Sequence, residues 1–202
     1  VANAAQRIED VGGALNAATG YDHTVYMVDV PSREWALGLE VLADLGLSQG
    51  EIIEEELETE KQVVLSELER NQDHPRRRMF ELLQQRVWAG TPYERPVIGF
   101  EETIRNFKAQ DIRDYLDRLY HPQAMLLVVC GDFDPQELSG AIMDRFGTTF
   151  GTQPVIPKAQ TGVFKGENGP DICIERTQWN KAYLGIGFTV PGMSSVWTLA
   201  LE

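Results

Sequence analysis

The sequence predicts an α+β fold, a mixed and largely antiparallel sheet with helices packed on one face. Three observations point there. "HTVYMVDV" at 23–30 alternates and is rich in β-branched residues, as a half-buried strand does. Residues 33–47 and 51–73 carry apolar side chains at helical spacing. "AMLLVVCGDF" at 124–133 is a continuous apolar run of the kind found in central strands.

The elements follow in order. Residues 2–10 read as a helix stopped by Gly12 and Gly13. Residues 14–19 and 23–30 read as two strands. Pro31 and Ser32 lead into a helix in which Trp35, Leu39, Leu42 and Leu45 recur at helical spacing. A long helix is expected over 51–73, ended by Asp73-His74-Pro75 because a residue before proline avoids helical geometry. "RRRMFELLQQRVW" starts the next helix, "AGTPYERPVIG" is a loop, and "FEETIRNFKAQDIRDYLDRLY" holds two short helices. Pro122 precedes the strand at 124–131, and Pro135 opens another helix. Residues 147–170, rich in Gly, Pro, Gln and Thr, read as a linker. Strands are expected at 171–177 and 181–189, and a helix from a Ser cap after Pro191. All five strands should share one sheet. Residues 1–189 then form one half-domain and 190–202 open the following segment. The chain starts at Val1 and ends inside an expected helix, so both ends read as cuts, the first of them into the half-domain.

Composition narrows the function. With 202 residues and 43% hydrophobic content the chain can build a sizeable core. A net charge of −13 argues against nucleic acid or an anionic membrane surface as the main partner. It suits a basic or neutral peptide, or serves solubility alone. No apolar run is long enough for a membrane span. Cys130 and Cys173 each sit in an apolar strand-like run and are expected as buried free thiols. Tyr26 and Trp35 are expected in the core. "HPRRR" at 74–78 is a basic patch, read as a solvated helix start.

The chemistry is concentrated in "EKQVVLSELE", residues 60–69. Turning each residue by roughly 100° from Glu60 puts Glu67 near −20°, Val64 near +40°, Leu68 near +80° and Val63 near −60°. Ile53 and Leu57 fall on the same side. The two acids therefore lie within the apolar stripe, roughly 10 Å apart along the axis. Lys61, Gln62, Ser66 and Glu69 fall on the outer face. A carboxylate in an apolar setting is costly unless an arginine, a proton or a metal ion meets it. The other reading is a half-buried stripe with solvated acids. "GGALNAATG" likewise has two readings. It is a tight turn into an edge strand, or a strand of small residues that lets a peptide backbone pair with it.

Four stretches in matching order and spacing resemble the N-terminal half-domain of the pitrilysin/insulinase (M16) family of zinc metallopeptidases, which includes the mitochondrial processing peptidases. They are "IEDVGGALNAATGYDHTVYMVDVP", "ETEKQVVLSELERNQDHP", "YERPVIG" and "YHPQAMLLVVCGDFD", with Ala124 where the family prefers Asn. The resemblance implies that Glu67 is a zinc ligand and Glu60 an auxiliary acid near the site. It implies that Asn16, Ala17 and Thr19 border an extended peptide substrate. Two His ligands and the general base of the family come from an H-x-x-E-H motif. His23, His74 and His121 do not form one, so that motif is expected upstream of Val1. In such a site zinc polarises the scissile carbonyl and acidifies its water, and the motif Glu takes the proton. The expectation is a zinc-dependent endopeptidase that pairs with a second homologous domain or subunit, with this chain inactive alone. The alternatives are a noncatalytic partner subunit of the same fold and a peptide-binding module that uses only the edge strand. Retention of both acids favours the peptidase.

Overall fold

A computed structural model describes residues 2–47, 50–147, 172–188 and 190. The chain divides into two compact units, one of residues 1–58 and 107–158, the other of 59–106 and 159–202.

The first unit opens with α1, Ala2–Glu9. Its end is a Schellman turn: Gly12 N donates to Glu9 O and Gly13 N to Ile8 O, both at 2.9 Å, with Gly12 at φ +79°. The hairpin of β1, Ala14–Thr19, and β2, Thr24–Asp29, follows; the strands pair antiparallel in the register Ala14–Asp29 to Thr19–Thr24. Thr24, Tyr26 and Val28 are half-buried, whereas Val25, Met27 and Asp29 are exposed, so one face of the sheet is covered. The covering elements are α1 and α2, Trp35–Leu47. Gly38 of α2 lets that helix lie close on Val28 and Val30. Ile8, Leu39 and Val41 are buried here, and Trp35 and Tyr26 are half-buried. In the same unit lie α6, Ala109–Leu119, and α7, Pro135–Phe146, the latter capped by Asp134, whose carboxylate accepts from Gln136 N and Glu137 N. α7 packs on α2. Glu40 of α2 joins three helices by pairing with Arg7 of α1 and, at 3.1 Å, with Arg145 of α7.

The long α3, Glu54–Gln72, starts in the first unit and runs on in the second. Glu54, Glu55 and Glu56 fill its first turn, where the helix dipole favours negative charge. In the second unit its Leu65 and Leu68 pack with Ile104 of α5, Glu101–Asn106, and with Ile98. His74 caps α4, Pro75–Val87, by accepting from Arg77 N. Residues 182–188 lie along α4 by their glycines: a Cβ at Gly187 would meet Val87 at 2.6 Å. Arg78 of α4 grips Glu175 through two bonds of 3.0 and 2.8 Å.

The fold class is as expected, but the sheet is smaller. Among the described residues the ladder holds β1 and β2 alone. Pro122–Ala124 is a 3-10 turn, and the residues after it do not join the ladder. Met125, Leu127 and Val129 are half-buried there, while Leu126, Val128 and Cys130 are exposed. An apolar run reads as a central strand only if both of its faces are covered, and here one is. At 182–188 the glycine face meets α4, so Leu184, Ile186 and Phe188 point outward. Cys130 and Cys173 are accordingly exposed free thiols, not buried ones. Of the linker expected at 147–170 only Gly147 is described, and the helix expected after Pro191 lies outside the described residues.

Candidate metal-ligand helix and peptide edge

Nothing in residues 54–72 breaks a helix, and α3 carries Glu60 and Glu67 two turns apart on one side. Both are exposed, and Val63 between them is 53% exposed. The buried side of α3 is Lys61, Leu65 and Leu68, flanked by half-buried Val64 and Leu57. That corrects the wheel. The packed face is turned by roughly a quarter of the circumference from Glu60, so the acids border it instead of lying within it. Lys61, placed on the outer face by the wheel, is 7% exposed. The physical reason is the cost of desolvating carboxylates, whereas the four-carbon stem of a lysine packs as an aliphatic chain.

The three histidines serve elsewhere or stand apart. His74 caps α4, His121 is buried with Nε2 on Asp117 O at 2.5 Å, and His23 closes the hairpin. Among the described residues no three His, Cys, Asp or Glu side chains gather into a group that could hold a metal ion. The chain's described residues therefore do not assemble a zinc centre by themselves. Glu67 offers a single carboxylate.

The second set of expected site residues lies on β1. Asn16, Ala17 and Thr19 are all exposed. The register separates them by face. Ala17 and Thr19 stand opposite Tyr26 and Thr24 on the helix-covered side, and Asn16 stands opposite Met27 on the bare side. Tyr26 Oη lies 3.1 Å from Tyr120 Oη. Burial above all, then that hydrogen bond, pushes the Tyr26 hydroxyl well above its usual titration range, so it stays protonated and able to donate. Asn16 Oδ1 accepts from Ala17 N at 2.8 Å, a bond that sequence reasoning missed. Its only trace is the general habit of Asn side chains to bond nearby backbone. Glu60 and Glu67 belong to the second compact unit and β1 to the first.

Residues 2–101 match the model of the insulinase peptidases, family M16, and residues 106–201 that of the M16 inactive domain. An uncharacterized zinc protease of Mycobacterium leprae is 29% identical over 94% of this chain and 42% of its own length. Subunit 1 of the bovine mitochondrial cytochrome b-c1 complex is 27% identical over 98% of this chain and 41% of its own. A crystal structure of an M16-like peptidase from Alicyclobacillus acidocaldarius superposes with a TM-score of 0.68 at 27% identity, over 75% of this chain and 36% of that one. The chain thus spans about two fifths of the length of the curated relatives it matches. Among the described residues no helix is long and apolar enough to cross a membrane.

Proposed function

Because this chain belongs to peptidase family M16, we propose that it is part of a zinc-dependent endopeptidase in which β1 takes up an extended peptide by strand addition and Glu67 supplies one metal ligand. The observation that carries this is the ridge Glu60–Val63–Glu67. An exposed valine between two exposed acids is a surface suited to a covering element that brings positive charge. A metal ion held by two imidazoles on that element meets both requirements, since zinc takes nitrogen and oxygen donors together. Glu60, two helical turns from Glu67 on the same side of α3, acts by hydrogen bonding to the groups around it, as outer partners of metal sites do. Residues 1–189 act as one half-domain, and a second homologous domain or subunit completes the substrate cleft.

Strand addition is supported by β1 itself. Its residues 17–19 carry small side chains, its residues 16–19 are exposed, and among the described residues β2 is its sole ladder partner. Main-chain pairing needs no particular substrate side chain. The net charge of −13 favours basic or neutral peptides.

A second reading rests on the likeness to the bovine cytochrome b-c1 subunit over nearly the whole chain. The same fold then serves as a noncatalytic partner. The two readings separate on metal content. In the full-length product of the gene, Glu67→Gln should lower the zinc retained after dialysis by about tenfold or more, on the scale of losses at metal-site partners. Atomic absorption reads this directly, and equal zinc in the two proteins would favour the partner subunit.

A further inference from the structure

The outer edge of β1 carries its own occupant. Gly20 N donates to His23 O at 2.9 Å, and this bond sets the alternation of the ladder. Counting back through the register, Leu15, Ala17 and Thr19 turn their N–H and C=O groups away from β2. The Thr19–Thr24 pair agrees, because its hydroxyls approach to 3.4 Å, as side chains do in a pair that exchanges no backbone bonds. Of these outward groups, the Ala17 N–H is already engaged by Asn16 Oδ1 at 2.8 Å.

We propose that Asn16 is a removable cap on this edge: its carboxamide oxygen stands where the carbonyl of a docked peptide strand would stand, and the peptide binds by exchange for it. The inference rests on the strand-addition reading above and adds a positioning residue to it. Docking then replaces one hydrogen bond on Ala17 N–H by another, and that contact contributes little net affinity. The cap also blunts an edge that would otherwise invite pairing with other chains.

The test uses the 202-residue chain, its Asn16→Ala variant and its Asn16→Asp variant, which keeps an acceptor. The probe is a fluorescent, unstructured Val/Thr peptide of about six residues, the length of a typical strand. Amide exchange at Ala17 should quicken in Asn16→Ala and stay slow in Asn16→Asp, with exchange at Val25 and Met27 unchanged as a check on the hairpin. Peptide affinity by anisotropy should rise about fivefold in Asn16→Ala, the worth of one net hydrogen bond, and should not rise in Asn16→Asp. Equal Ala17 exchange in the parent and Asn16→Ala, or peptide binding to Asn16→Ala no tighter than to the parent, overturns the cap alone. A peptide that binds none of the three proteins overturns the strand-addition reading and the cap with it.

Discussion

A methyl group added at Gly13 would press on the Asp29 carbonyl oxygen and lie 2.9 Å from both Ile8 and Val30. Backbone cannot yield as a side-chain tip can, so Gly13→Ala should cost about 1–3 kcal/mol, the usual range for overpacking. Gly140, inside α7, has nothing within 4 Å of the same added atom. There the change to Ala should stabilise by about 0.5–1 kcal/mol through helix propensity. Urea midpoints moving in opposite directions would verify the pair, and equal midpoints would refute the packing at Gly13. The sequence showed that Gly12 and Gly13 end α1, because a glycine pair is a local signal. It did not show that Gly13 is needed for the approach of β2, since that contact joins residues sixteen positions apart. The same limit governs Glu60 and Glu67. Their common side of α3 was legible from spacing alone. Which side packs was not, because the partners Ile98 and Ile104 decide it.

Glu40 is a junction of elements, taking Arg7 from α1 and Arg145 from α7 on one carboxylate of α2. The Arg7 hydrogen bond first, against the opposing effect of burial, and then the charges of Arg7 and Arg145 hold it below the usual glutamate range. A carboxyl lowered in the folded state stabilises above its unfolded value and loses that contribution as pH falls through the folded value. The side chains are each more than a third exposed, 35% for Glu40 and 37% for both arginines. Solvent screening therefore limits the network to about 1 kcal/mol or less. Glu40→Gln should be less stable than the parent at about pH 6, and the gap should close as pH is lowered below the usual glutamate range, measured by urea unfolding across a pH series. A difference that persists in acid would mean that packing, not charge, is what Glu40 supplies. Helices were the more legible elements: the stretch expected at 51–73 is α3 at Glu54–Gln72, and the proline at 75 begins α4. Helices close their hydrogen bonds within themselves, so local sequence suffices. The runs at 125–131 and 172–188 need a neighbouring strand, and composition cannot tell whether one is there.

For the whole molecule, the ligand count decides activity. A catalytic zinc usually takes three protein ligands, and the described residues gather no such set. The 202-residue chain, given zinc and an unstructured basic peptide, should show no chelator-sensitive cleavage on a mass-spectrometric assay. Turnover abolished by chelator would place the metal elsewhere in this chain. The exposed thiols of Cys130 and Cys173 bring a different consequence. An exposed thiol is open to oxidation once it ionises, and two per chain make the molecule bivalent. A disulfide between two copies still leaves a thiol on each, so air oxidation extends into linear polymers instead of stopping at a dimer. Preparations kept without a reducing agent will therefore grow heavier with storage, and blocking either cysteine turns the other into a chain terminator.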